Sequence, residues 1–103
     1  SYDNFDVDLV SHDETLIERE KLKLFKDKAK VFFKKNGLLL NWKEFEKLDQ
    51  YQQINTLAMI APVSNEEKQK LLETKTIIGK TKLMSEIIEF YLHASRVDNK
   101  TLQ

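Results

Sequence analysis

The sequence predicts a mainly α fold, with about five helices in one bundle and a short extended segment at the N-terminus. Only two glycines and one proline occur in 103 residues, which leaves few sites for tight turns between strands. Apolar residues recur at spacings of three and four along most of the chain, as they do on the buried face of a helix. A chain of this length builds one hydrophobic core, so a single helical lobe is expected.

The composition is typical of a soluble globular protein, with 41% hydrophobic and 33% charged residues. Seventeen basic residues balance 17 acidic ones, so the chain has no overall positive field for nucleic acid or an anionic membrane. Cysteine is absent, which excludes disulfides and thiolate metal sites and favours a cytoplasmic location. No stretch reaches the roughly 20 apolar residues of a membrane span. The chain begins with Ser1 rather than methionine, and we expect it to be a piece of a longer protein.

The first ten residues form the only segment with a strand-like pattern. Phe5, Val7 and Leu9 alternate with polar residues, which is the period of a half-buried β-strand. A lone strand needs a partner, so residues 1–10 either lie extended against the helices or complete a sheet in a domain outside this sequence, and we favour the second alternative. The helical lobe is predicted over residues 11–96, and residues 97–103 are predicted to be a frayed tail.

A long helix is predicted from a capping box at Ser11 and Glu14 to Asn36, with Gly37 as its left-handed C-terminal cap. Its core stripe has spacings of three and four and comprises Leu22, Phe25, Ala29, Phe32 and Phe33. A second apolar stripe recurs every seven residues on roughly the opposite side and comprises Ile17, Leu24 and Val31. These three residues either pack inside the same bundle or form a surface for a missing domain or a bound polypeptide, and they are the candidate protein-binding residues.

Two helices are predicted to follow, each starting after a residue that accepts a hydrogen bond at a helix N-terminus. Asn41, paired with Glu44, begins a short helix, and Asp49 begins the next one. That next helix is expected to be the central helix of the core, because Met59 and Ile60 widen its apolar stripe. Its other apolar residues are Tyr51, Ile54, Leu57, Ala58 and Ala61.

The only proline, Pro62, ends that helix, and Ser64 with Glu67 begins an amphipathic helix two residues later. Thr76 is predicted to cap the last helix, which runs to about Ser95. The residues of these two helices that are predicted to face the core are Leu71, Leu72, Ile77, Leu83, Met84, Ile87, Ile88, Tyr91 and Leu92.

The sequence contains no complete motif for catalysis or metal binding. Residues 79–81 (GKT) match the end of a phosphate-binding loop, but that loop needs a preceding strand and a glycine where this chain has Thr74. His12 and His93 are far apart and have no cysteine with which to share a metal ion. We therefore expect no enzyme activity and no cofactor.

Lysines of the first long helix suggest an alternative, a small helical nucleic-acid-binding domain. They spread around the helix instead of lying on one face, and acidic residues lie among them, so a solvated surface is the favoured interpretation. These residues are Lys21, Lys23, Lys26, Lys28, Lys30, Lys34 and Lys35.

The corner around the proline carries the most distinctive sequence. Residues 55–62 read NTLAMIAP, and residues 66–73 read EEKQKLLE. This pattern resembles the Lon substrate-binding domain family, specifically the helical C-terminal lobe of the N-terminal domain of Lon proteases and of short bacterial proteins that carry this domain alone. The order of elements is also similar: an extended segment, a long helix, a turn at Gly37, a short helix with Trp42, and then the corner. Val63 departs from the family pattern, in which an aromatic residue follows the proline.

The resemblance implies a non-catalytic module that recognises unfolded or damaged protein and contributes to oligomer organisation. The ATPase and protease motifs of Lon and the β-lobe of the domain are absent from this sequence. The expected partners are unfolded protein clients or the missing β-lobe. We expect neither a small-molecule substrate nor binding to a membrane, and a homo-oligomer is possible. A nucleic-acid-binding domain and a purely structural or oligomerisation module are the alternatives.

Overall fold

A computed structural model describes residues 16–102, with side chains described for residues 16–94. Within this range the chain forms five helices and no strand, which confirms the mainly α prediction. The helices are α1 (Arg19–Lys35), α2 (Trp42–Phe45), α3 (Gln50–Ile60), α4 (Asn65–Glu73) and α5 (Ile77–Leu102). The predicted strand over residues 1–10 and the predicted capping box at Ser11 and Glu14 lie outside the described residues.

Helix α1 begins at Arg19, so the prediction of a continuous helix from residue 11 is wrong. Residues 16–18 are not helical, and Glu18 has extended backbone angles of φ −59° and ψ 139°. The side-chain amide of Gln50 explains this start. Its Oε1 accepts from the backbone N–H of Ile17 at 2.8 Å, and its Nε2 donates to the Ile17 carbonyl at 2.9 Å. These two bonds satisfy the Ile17 backbone without a helical partner.

The C-terminus of α1 has the predicted glycine cap. Gly37 has a φ of 77°, in the left-handed region that glycine adopts at low cost. The Gly37 N–H donates to the Lys34 carbonyl at 3.1 Å, and the Leu38 N–H donates to the Phe33 carbonyl at 2.9 Å. This pair of bonds is a Schellman motif, which stops the helix and turns the chain towards α2.

Helix α5 is the central helix of the bundle, and not α3 as predicted, because α5 packs against α1, α3 and α4. In α3 the apolar stripe is narrower than expected: Met59 is 65% exposed, whereas Ile54, Leu57 and Ala58 are buried. The predicted core stripe of α1 is fully confirmed. The buried apolar residues are Leu22, Phe25, Ala29, Phe32, Phe33, Phe45, Ile54, Leu57, Ala58, Ala61, Leu71, Ile77, Met84, Ile87 and Ile88.

The predicted N-terminal caps of the later helices are all present. The side chains of Asn41, Asp49 and Ser64 each accept a backbone N–H of the first helical turn, and the last two form reciprocal capping boxes. Thr76 Oγ1 accepts from the Gly79 N–H at 3.0 Å at the start of α5. These bonds fix where each helix begins and hence where its side chains point.

Two predictions for the last helices are wrong. Leu72 is 52% exposed, because only Leu71 of the pair lies on the face of α4 that meets the core. Helix α5 continues to Leu102, past the predicted end at Ser95, so residues 97–102 of the predicted frayed tail are helical. No Gly or Pro follows Ser95 to stop the helix.

Candidate functional site

A cleft of about 580 Å³ lies between residues 16–18, the first half of α1 and the first half of α5, and we refer to it as the α1–α5 cleft. One wall has no regular structure, and the other two are helical. The lining residues are Leu16, Ile17, Glu18, Lys21, Leu24, Phe25, Lys28, Ile78, Thr81, Lys82 and Ser85.

The spacing of the lining residues along α1 and α5 explains how each helix forms one wall of the cleft. Lys21, Leu24 and Lys28 are three and four residues apart and therefore lie on one side of α1. On α5, Ile78, Thr81, Lys82 and Ser85 are related in the same way and face the cleft. Most core residues of these helices lie on their other sides, and Phe25 is both a core residue and part of the cleft lining.

The start of α5 depends on a close backbone approach at Gly79. A Cβ atom there would lie 2.8 Å from Thr74 Cγ2 and 2.9 Å from Thr76 Oγ1. Glycine therefore lets the end of α4 and the first turn of α5 lie close together. This packing places the start of α5, which carries Ile78, next to the end of α4.

Large apolar side chains surround the cleft and remain accessible to solvent. Leu24 is 63% exposed, Leu16 49% and Ile78 43%. Phe25, at 4% exposed, belongs to the core and contributes the floor, and Ile17 packs partly against the core. Three exposed large apolar residues around one concavity are more than the isolated examples that are normal on a protein surface.

The cleft is locally basic in a chain of zero net charge. Its lining contains three lysines and one glutamate. Lys28 forms an ion pair with Glu89, whereas Lys21 and Lys82 form no ion pair with any described residue. Two cationic groups, one on each helical wall, are therefore available to an acidic ligand.

One of the residues that line the cleft has an unsatisfied polar atom. Thr81 Oγ1 is shielded from solvent and forms no hydrogen bond within the part of the chain that the structure describes. An unsatisfied hydroxyl of this kind destabilises the folded state by about 1–3 kcal/mol.

The predicted protein-binding residues do not form a single stripe. Ile17 precedes α1 and is partly buried, although it does line the cleft. Leu24 lines the cleft and is the most exposed of the three. Val31 is 48% exposed but lies two turns further along α1, outside the cleft. The heptad spacing left open whether these residues pack inside the bundle or are exposed. Leu24 and Val31 are exposed, and Ile17 lies before the helix on which it was placed.

Sequence reasoning missed Leu16, Ile78 and Thr81. Ile78 carried a usable signal, because it is one residue out of step with the buried series Ile77, Met84 and Ile88 and so must lie off that face. Leu16 and Thr81 carried none, because their position in the cleft depends on how residues 16–18 and α5 pack against α1.

Most lysines of α1 are engaged by neighbouring groups. Lys23 pairs with Asp27 at 3.2 Å and Lys26 with Glu46 at 2.8 Å, while Lys28 pairs with Glu89. Lys30 Nζ lies 5.2 Å from the centre of the Trp42 ring, a cation–π geometry. With four of the seven lysines held in this way, α1 presents a mixed surface instead of a continuous row of free cations.

The GKT triplet of residues 79–81 lies within helix α5 and not in a loop. Lys80 Nζ donates to Asn55 Oδ1 at 2.5 Å, which ties α5 to α3. Among residues 16–102 there is no group of three or more His, Cys, Asp or Glu side chains that could hold a metal ion. In the same range no helix is long and apolar enough to cross a membrane.

Comparison of the chain with protein-family models, with curated proteins and with solved structures gave no match. The α1–α5 cleft and its contacts are therefore the observations from which a function has to be argued.

Proposed function

We propose that this chain is the helical lobe of a Lon-like substrate-binding domain and that it binds unfolded or damaged protein without catalysing a reaction. The observation that carries this proposal is the α1–α5 cleft, with Leu16, Leu24 and Ile78 exposed around it. Contiguous apolar surface in a concave site is typical of protein interaction sites.

The shape of the cleft favours a polypeptide over a small molecule. Sites for small molecules bury most of their ligand and direct several polar groups at it. In the α1–α5 cleft Leu16, Leu24 and Ile78 remain about half exposed, and the polar side chains are three lysines, one glutamate and two hydroxyl residues. Such a surface makes apolar contact with a chain that passes through it and tolerates many sequences.

The order of elements supports the family part of the proposal. The resemblance implies an extended segment, a long helix with a glycine turn, a short helix with Trp42, and a corner at Pro62. The extended segment falls on residues 1–10, outside the described residues. In the described range Gly37 ends α1, Trp42 begins α2, and α3 and α4 lie on either side of Pro62. The parent would be a Lon protease or a short protein with this domain alone, acting in the cytoplasm.

Fluorescence anisotropy tests the proposal with a labelled protein that is kept unfolded by alkylation of its cysteines. We expect binding by the wild type and weaker binding by Leu24→Ser. Leu39→Ser is the matched control, because Leu39 is 88% exposed and lies outside the cleft. Equal binding by the two variants would contradict the proposal.

A labelled random DNA duplex, titrated at two salt concentrations, tests the alternative. Phosphate contacts release counterions, so nucleic-acid binding falls steeply with salt. Binding to the duplex alone, with that salt dependence, would support the nucleic-acid-binding alternative and overturn protein recognition.

A further inference from the structure

We propose that the α1–α5 cleft selects one class of polypeptide, namely extended segments in which acidic residues are interspersed with apolar ones. This inference rests on the proposed function and specifies the chemistry of the client. It is carried by the charge of the cleft and by the arrangement of lysines and exposed apolar residues on its walls.

The charge of the cleft differs from the charge of the whole chain. The chain has no net charge, yet the cleft has three lysines against one glutamate, Glu18. Lys28 is already paired with Glu89, which leaves Lys21 and Lys82 free of ion pairs with described residues. A ligand with carboxylates is attracted to this site, and a ligand with lysines or arginines is repelled.

Cationic and apolar groups are interleaved on both helical walls. On α1, Leu24 lies between Lys21 and Lys28, three residues after the first and four before the second. On α5, Ile78 precedes Lys82 by one turn. An occupant that places apolar side chains against Leu24 and Ile78 therefore brings the residues that flank them close to the ammonium groups.

The exposed apolar residues of the cleft favour a polypeptide over nucleic acid. Apolar side chains of an extended peptide can pack against Leu24, which is 63% exposed, and Ile78, which is 43% exposed. Nucleic acid is a poorer match, because its phosphates gain nothing from the exposed side chains of Leu24 and Ile78.

Three labelled peptides of equal length test this inference on the full chain. The first alternates acidic and apolar residues, the second replaces its acidic residues with lysine, and the third replaces its apolar residues with serine. We expect the first to bind at least about fivefold more tightly than the second, which is the effect of two exposed ion pairs. The third is expected to bind more weakly than the first, because it loses contact with Leu24 and Ile78.

Charge reversal gives the sharper test. In Lys21→Glu with Lys82→Glu, we expect the preference to invert, so that the lysine peptide binds more tightly than the acidic one. Lys43→Glu with Lys75→Glu is the matched control, because both lysines are exposed and outside the cleft and the change in net charge is the same. Circular dichroism establishes that both variants fold.

The outcomes separate this inference from the proposed function. An acid preference that inverts only in the Lys21 and Lys82 variant supports the inference. Leu24-dependent binding of the unfolded protein, with equal binding of all the charged peptides, overturns the inference and leaves the proposed function standing. No binding of peptides or unfolded protein overturns both.

Discussion

Two regions of the molecule contact the central helix α5: the corner between α3 and α4, and the α1–α5 cleft. They differ in how many of their polar groups have a hydrogen-bond or ion-pair partner. At the corner, Ser64 and Glu67 form a reciprocal capping box, and Tyr91 of α5 donates to Glu67 Oε1 at 2.7 Å. In the cleft, the Thr81 hydroxyl has no hydrogen-bond partner among the described residues, and Lys82 forms no ion pair with any of them. The paired groups of the corner stabilise the fold, whereas the unpaired lysine of the cleft is available to a ligand.

The largest expected difference between the two regions is in the free energy of unfolding. Leu71, beyond the corner on α4, is fully buried, whereas Leu24 in the cleft is 63% exposed. We expect Leu71→Ala to lower the free energy of unfolding by about 3 kcal/mol, from lost burial and the cavity it leaves. Leu24→Ala is expected to change it by no more than about 0.5 kcal/mol. Urea denaturation followed by circular dichroism measures both, and similar losses for the two variants would place Leu24 in the core.

A smaller, pH-dependent effect is expected from the Tyr91 hydroxyl at the corner. The hydrogen bond from Tyr91 is the main cause that holds the pKa of Glu67 below its ordinary value. The same bond, followed by burial, raises the pKa of Tyr91. We expect Tyr91→Phe to lower the free energy of unfolding by about 1 kcal/mol near neutral pH, because the ring is kept and one hydrogen bond is lost.

The sign of the pH dependence follows from these two shifts. Glu67, with a lowered pKa, contributes stability above its unfolded pKa of about 4.3, and this is lost as pH falls through the folded pKa. Tyr91, with a raised pKa, contributes stability below its unfolded pKa of about 10, and this is lost as pH rises through the folded pKa. The difference between wild type and Tyr91→Phe is therefore expected to be constant between these limits and to shrink beyond them. A difference that persists at acidic pH would assign the effect to packing.

The smallest expected change in the free energy of unfolding is an increase, and it comes from a residue of the cleft. Thr81→Val removes a shielded, unpartnered hydroxyl, so we expect the free energy of unfolding to rise by up to about 1 kcal/mol. The same change is expected to leave binding of the acidic–apolar peptide unchanged, because a shielded oxygen is not in contact with the ligand. Thr81→Ser keeps the hydroxyl and is expected to gain no stability. If Thr81→Val lowers the free energy of unfolding, the hydroxyl has a partner within the fold.

The features that the sequence predicted correctly depend on neighbours along the chain. The caps at Asn41, Asp49 and Ser64 act within one helical turn, and the Gly37 cap needs only a residue that tolerates positive φ. Local patterns of this kind are visible in the sequence because the interacting residues are three or four positions apart.

The features that were predicted wrongly depend on contacts between distant residues. Helix α1 starts late because Gln50 bonds to Ile17, which is 33 positions away. The central position of α5 follows from its packing against three other helices, and periodicity within α3 cannot reveal it. The candidate site lies between these two cases: the spacing marked Leu24 as a candidate binding residue but left its exposure open, whereas Leu16, Ile78 and Thr81 join it only through tertiary packing.

The pair of hydrogen bonds between Gln50 and Ile17 attaches the non-helical wall of the cleft to α3 and not to α1. The backbone bonds of α1 begin where Leu22 N–H donates to the Glu18 carbonyl, so they do not include Leu16 or Ile17. Ile17 is held by the Gln50 side chain and by its packing against the core. The width of the cleft therefore depends on α3, a helix that contributes no lining residue, as well as on the two helices that form its walls.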